Sequence, residues 1–175
     1  MGGGGRRGAR VVGGELGGRG LTVAGATRPS SAQLRAALAS IWTDRIAGAR
    51  VLDLFAGSGA VGLELLSRGA VHTTFVESDR ASSAALAENL ELLAAGRSRR
   101  LALDARRALE LLAREGARFD LIFVDPPYEL ELDEPLLGAL RDITTAHAGA
   151  RLHIEQPRMT DVFRQVLTDN QRKAA

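Results

Sequence analysis

The chain contains no cysteine, which excludes both a disulfide framework and a thiolate metal site. Its three histidines, His72, His147 and His153, are scattered without ligand spacing, so no metal is expected and each reads as a strand or loop residue. No apolar run approaches the roughly 20 residues needed to cross a bilayer. No secretory leader is recognised ahead of the basic start, so a cytoplasmic protein with no membrane attachment is expected. Lysine is almost missing too, because arginine supplies 22 of the 23 basic residues. Bidentate phosphate recognition favours arginine, and a coding bias towards arginine gives the same composition.

What is present describes an ordinary globular chain. At 175 residues it has a single-domain length, and 45% hydrophobic with 25% charged residues is enough to bury a sizeable core. The charge is unevenly placed. The first fifty residues hold eight arginines against Glu15 and Asp44, a balance of +6, which leaves −4 for the remainder of a chain of net +2. A basic N-terminal segment on a weakly acidic body points to a polyanionic partner.

Residues 1–9, rich in glycine and arginine, are expected to be a flexible tail. Arg10 to Gly14 and Gly18 to Val23 read as two short β segments around a glycine-rich connection. Thr27 to Ser31 then offer N-caps for a helix that places Leu34, Leu38, Ile41 and Trp42 on one face, with Trp42 in the core. Beyond residue 50 short apolar runs alternate with helical stretches. Strands are expected at 50–55, 73–77, 100–103, 119–125 and 151–155, and helices at about 60–68, 80–95, 105–115 and 132–143. This alternation predicts βαβ units, hence an α/β fold with a mostly parallel sheet covered by helices on both faces. Ligands of such sheets bind at the carboxyl ends of the strands.

The motifs lie at those ends. Asp53-Leu54-Phe55-Ala56-Gly57-Ser58-Gly59 runs from a strand into a glycine turn, which lets backbone approach a ligand closely. Glu77 and Ser78 end the next strand, where a carboxylate can accept two ribose hydroxyls. Asp104 and Ala105 follow the third, placed for an adenine amino group. Gly57, Gly59 and Gly62 also satisfy the dinucleotide fingerprint. Asp53, four residues before the first glycine, opposes a pyrophosphate there and suits a cation such as a sulfonium bearing an α-amino group. S-adenosylmethionine is therefore the expected cofactor. Asp125-Pro126-Pro127-Tyr128 closes the fourth strand with a carboxylate, carbonyls freed from any ladder and a flat ring, a set that fits an exocyclic amine. The plain alternative is a strand followed by a Pro-Pro turn.

These segments, together with Leu63 to Ala70, resemble the bacterial RsmD family, and Arg10 to Gly14, Gly18-Arg19 and Thr27 to Ser30 resemble that family's opening. The resemblance spans roughly residues 10–156. It implies a Rossmann-like class I methyltransferase that modifies a guanine N2 amine of small-subunit (16S) ribosomal RNA. It assigns Asp53, Phe55, Ala56, Gly57, Gly59, Glu77, Ser78, Asp104 and Ala105 to the cofactor. Asp125, Pro126, Pro127 and Tyr128 would hold the acceptor, and Arg10, Arg19, Arg28, Pro29 and Ser30 would meet RNA. The implied organisation is an RNA-contacting hairpin and helix at 10–46, the methyltransferase domain at 47–157 and a separate segment at 158–175. The partner would be ribosomal RNA or the assembling subunit.

The chain departs from the family pattern in two places. Ala32, Gln33 and Ala36 stand where charged residues are usual. Residues 157–175 read as one amphipathic helix or a loose tail, without the two last strands of the family. A monomer is expected, and the sheet edge that missing strands leave exposed offers dimerisation as the other arrangement. The same residues also suit adenine N6 or a protein glutamine, and a non-catalytic RNA-binding relative is the reading from another class.

Overall fold

The computed structural model describes residues 6–24, 30–127, 130, 133–144 and 151–154. Strands β1 (Arg6–Arg10) and β2 (Gly20–Val23) form an antiparallel hairpin, followed by helices α1 (Ala32–Ile41) and α2 (Thr43–Ile46). The repeating part then runs β3 (Arg50–Leu54), α3 (Ala60–Ser67), β4 (His72–Val76), α4 (Arg80–Leu93), β5 (Ser98–Leu101), α5 (Ala105–Arg114), β6 (Leu121–Val124), α6 (Glu134–Ile143) and β7 (Arg151–Ile154). Its five strands are all parallel, in the order β5-β4-β3-β6-β7. The chain steps outward from β3 to β5, then returns to place β6 on the other side of β3. Crevices at such reversals open at the carboxyl ends of the two central strands, here after Leu54 and Val124.

Alternation along each strand divides the core into two layers. Val51, Phe75, Leu121 and Phe123 face α3, α4, α1 and the hairpin. Leu52, Leu54, Val76, Ile122 and Val124 face α5 and α6. Every residue of α3 is buried, including Glu64 and Ser67, which turn towards the hairpin. Gly62 lets that helix approach the sheet, since a Cβ there would lie 2.3 Å from Phe75 Cε1 and 2.9 Å from Thr73 Cγ2. Among the described residues no helix is long and apolar enough to cross a membrane.

The expected helices and parallel strands are all present, with local differences. Strand β1 starts at Arg6, inside the stretch 1–9 expected as a tail, because its pairing with β2 supplies the order that a glycine-rich segment lacks alone. The turn falls at 12–19 rather than between Gly14 and Gly18, with Gly14 and Gly18 at φ 77° and 81°. Strand β5 begins two residues earlier than expected. Helix α1 turns Arg35, Leu38 and Ala39 inward while Ile41 is 70% exposed. Arg35 is drawn in by hydrogen bonds to backbone carbonyls of Ser30 and Arg10, and this rotates Ile41 outward. Trp42 is buried as expected, and Ser31 is the N-cap, accepting from Leu34 N. The segment 158–175 lies outside the described residues.

Candidate active site

The turn after β3 is shaped by positive φ angles: 65° at Phe55, 56° at Gly57 and 82° at Gly59. Left-handed backbone at a bulky residue such as Phe55 is rare and is held only by surrounding structure. The restraints are visible. Ala56 N donates to Val76 O at 2.9 Å, and Gly59 N to Ala56 O at 2.8 Å. Asn89 Nδ2 donates to Ser58 O at 2.9 Å. Gly59 is seated on Leu86 of α4, whereas a side chain at Gly57 would meet nothing within 4 Å. The loop is therefore packed tightly on one side and open on the other.

Three carboxylates surround that opening. Asp53, 1% exposed, accepts from Gly62 N at 2.9 Å. Glu77 accepts from Gly57 N at 2.7 Å and Asp79 N at 2.8 Å, which ties the loop to the end of β4 and leaves acceptor capacity on both oxygens. Asp125 ends β6, its N–H reaching back to Leu54 O at 3.4 Å. Burial pushes the Asp53 carboxyl up to about 7. The Gly62 N–H opposes that rise, while the negative charges of Asp125 and Glu77 add to it. A site that holds carboxylates this close together is relieved by a cation.

A small cavity of ≈ 60 Å³ reaches inward between Ser30, Asp53, Gly57, Phe123 and Asp125. It joins the glycine loop to the end of β6. Ser30 also lines a wider cavity of ≈ 520 Å³ beside the hairpin, together with Arg10, Val11, Val12, Gly20 and Arg35. The family resemblance assigns Ser30 to an RNA surface, and the structure places it where that cleft meets the carboxylates.

The remaining expected residues are distributed as follows. Ser78 is exposed beside Glu77. Asp104 caps α5, accepting from Arg107 N at 3.1 Å, with one oxygen 3.5 Å from Arg107 Nε; Ala105 is buried behind it. Pro126 is buried and Pro127 exposed, the Pro127 carbonyl accepting from Leu130 N at 2.9 Å. Arg10 and Arg19 are exposed on the hairpin. Arg28, Pro29 and Tyr128 lie outside the described residues. No group of three or more metal-type ligands occurs among the described residues.

These residues fit a sulfonium cofactor. The open space at Gly57 accepts a ligand without displacing side chains, and acceptor-only carboxylates at Asp53 and Glu77 match an ammonium group and a diol respectively. Sequence reasoning overlooked the groups behind the loop, Asn89, Glu64 and Arg35, all at most 3% exposed. Asn89 carried a signal, being a polar residue within the apolar stripe Ala85, Leu86, Asn89, Leu90 of an amphipathic helix.

The family described as Conserved hypothetical protein 95 matches residues 9–174. Ribosomal RNA small subunit methyltransferase D of Escherichia coli K12 is 40% identical over 148 residues, covering 83% of this chain and 73% of that protein. The Haemophilus influenzae protein of the same name is 30% identical over 150 residues, 83% of this chain and 77% of that one. The solved Escherichia coli protein yhhF superposes with a TM-score of 0.72 at 38% identity, over 83% of this chain and 79% of that one. A hypothetical protein of Thermus thermophilus gives 0.66 at 36% identity, over 78% and 80%. The chain therefore belongs to the Conserved hypothetical protein 95 family, the RsmD family of methyltransferases that its motifs resemble.

Proposed function

We propose that this chain methylates the exocyclic N2 amine of a guanine in small-subunit ribosomal RNA, with S-adenosylmethionine as methyl donor. The family makes it a methyltransferase using that cofactor. The observation that carries the acceptor assignment is the placement of Asp125 beside Asp53 and the glycine loop, on one small cavity at the sheet's switch point. A carboxylate there is positioned to accept an N–H of an amine brought up to the cofactor.

The roles follow from what each group can donate or accept. Asp53, Phe55, Ala56, Gly57 and Gly59 hold the methionine part, Glu77 and Ser78 the ribose, Asp104 and Ala105 the adenine. Asp125 and the Pro126 carbonyl accept the amine hydrogens, Pro127 fixes the turn, and Tyr128 stacks on the base. When bound, the cofactor supplies an activated methyl on a sulfonium, already a good leaving group. The protein's contribution is alignment of amine and methyl at about 3–3.5 Å. Asp125 would hold the amine through its hydrogens and would take up the one proton that the amine gives up on methylation. A paired guanine must first leave its stack, at a cost of a few kcal/mol offset by stacking in the site. Arg10, Arg19, Arg28, Pro29 and Ser30 meet the RNA, and the partner is ribosomal RNA, free or in an assembling subunit.

Asp125→Ala tests the assignment. Methyl transfer is expected to vanish while S-adenosylmethionine affinity in calorimetry stays within a few-fold. A large loss of affinity contradicts the acceptor role.

A further inference from the structure

Asn89 engages both amide hydrogens and its amide oxygen with two parts of the molecule that are far apart in sequence. It lies on α4 and is 1% exposed. Its Oδ1 accepts from Thr22 N at 2.8 Å, and its Nδ2 donates to Thr22 O at 2.9 Å and to Ser58 O at 2.9 Å. The orientation of the amide follows from these partners, since an N–H must meet oxygen and two carbonyls must meet the NH2. To Thr22 the side chain acts as a neighbouring strand does, taking both peptide groups of one β2 residue. To Ser58 it is the clamp that sets the peptide between Gly57 and Gly59.

We propose that Asn89 is a positioning residue that couples the cofactor loop to the N-terminal hairpin, so that occupancy of the cofactor site is felt at the RNA-facing edge and the reverse. The inference rests on the methyltransferase reading given above. Ligand contact at Gly57 fixes the loop and hence the Ser58 carbonyl. That carbonyl holds one Nδ2 hydrogen, and the same amide holds Thr22. Ordering the loop therefore orders β2 at the same time, and the second ligand meets an already ordered hairpin. The hairpin's other anchors strengthen the link. Glu64 of α3 accepts from Val12 N at 2.6 Å and Gly13 N at 2.9 Å, Ser67 Oγ accepts from Leu16 N at 2.9 Å, and α3 itself starts directly after Gly59. Both routes from loop to hairpin are polar and start from side chains that are buried, Asn89 on one and Glu64 and Ser67 on the other, so neither slides freely.

The chemistry also says why this position holds asparagine. Aspartate has the same shape but no hydrogen to give, and would turn a carboxylate oxygen on two carbonyls. Asn89→Asp thus breaks the link with little change in volume.

Two measurements test the coupling, with S-adenosylhomocysteine as unreactive cofactor and naked small-subunit ribosomal RNA as the second ligand. In the full chain, S-adenosylhomocysteine is expected to tighten RNA binding about fivefold or more, with the reciprocal effect of RNA on cofactor affinity. In Asn89→Asp the factor is expected to fall to about one with far-ultraviolet dichroism retained, a change that a merely structural residue does not produce. The second measurement needs no substitution and stands if the variant fails to fold: S-adenosylhomocysteine alone is expected to slow hydrogen exchange at the Thr22 amide about tenfold. Cofactor binding with no change at Thr22, or an undiminished coupling factor in folded Asn89→Asp, overturns the inference while leaving the methyltransferase reading intact. Absence of any S-adenosylhomocysteine binding overturns that reading, and the coupling with it.

Discussion

At the scale of single residues, Asp53 sets two opposite pH dependences. Its carboxyl rises from about 4 in the unfolded chain to about 7 in the fold, through burial. The folded state therefore binds the proton more tightly, and stability is lost as pH climbs from about 4 to about 7, by up to about 4 kcal/mol. Cofactor binding runs the other way. The ionised carboxylate is the form that receives an ammonium group, so affinity should rise with pH until Asp53 is fully ionised near pH 8. Asp53→Asn keeps an oxygen for Gly62 N and cannot ionise. Urea denaturation should show the parent losing stability between pH 5 and pH 8 and the variant holding it, while calorimetry shows the variant's cofactor affinity weak and flat over that range. A parent chain equally stable at both pH values contradicts the buried, strained carboxylate. Asp53 was legible in the sequence as an acid ahead of a glycine turn. Its proton affinity was not, because that depends on the burial of β3 and on Asp125 and Glu77, far away in the chain.

At the scale of elements, the glycine turn separates two kinds of glycine that the sequence motif groups together. Gly62 belongs to the packing of α3 on β4, and Gly57 to the open side of the site. Gly62→Ala forces a methyl against the buried Phe75 ring and should destabilise the fold by about 1–3 kcal/mol. Gly57→Ala costs about 1 kcal/mol of backbone strain and should instead lower cofactor affinity at least tenfold. Thermal unfolding and calorimetry on the pair separate the two roles; equal effects on both quantities would contradict them.

The hairpin is the second element with a testable attachment. Glu64, 1% exposed, receives Val12 N, Gly13 N and Arg68 Nε, and lies 4.0 Å from buried Arg35. Glu64→Ala leaves a buried guanidinium without its counter-charge, at a cost of about 3–5 kcal/mol, and should expose residues 12–19 to proteolysis before the sheet unfolds. Cleavage that begins in the sheet instead would show that Glu64 does not hold the hairpin. Periodicity alone made the repeating elements legible, because each βαβ unit writes its own core face. It could not show that Arg35 points inward or that Ile41 points out, since the groups that receive Arg35, the carbonyls of Ser30 and Arg10 and the Glu64 carboxylate, lie outside α1.

At the scale of the whole molecule, sheet order turns scattered motifs into one site. The end of β3 and the end of β6 are about seventy residues apart in sequence and adjacent in space, at the reversal between the two halves of the sheet. Strand-end positions are readable from alternation, which makes the Asp53 to Gly59 turn, Glu77 and Asp125 expected neighbours. The link from Ser30 to the same cavity was not readable, because it depends on how the hairpin and α1 pack over the sheet. The uneven charge supports the proposed partner: the first fifty residues carry the net positive charge, and four of their arginines, Arg6, Arg7, Arg10 and Arg19, belong to the hairpin that Glu64, Ser67 and Asn89 fasten beside the carboxylates.

Methylation of guanine N2 in ribosomal RNA is measured by supplying isotopically labelled S-adenosylmethionine with naked small-subunit RNA, assembled small subunits or DNA, and identifying the methylated nucleoside by mass spectrometry after digestion. Label is expected as N2-methylguanosine in small-subunit RNA or subunits, with none in DNA. Label at adenine N6 or on protein glutamine would contradict the acceptor assignment, and cofactor binding without transfer to any of these would contradict catalysis itself.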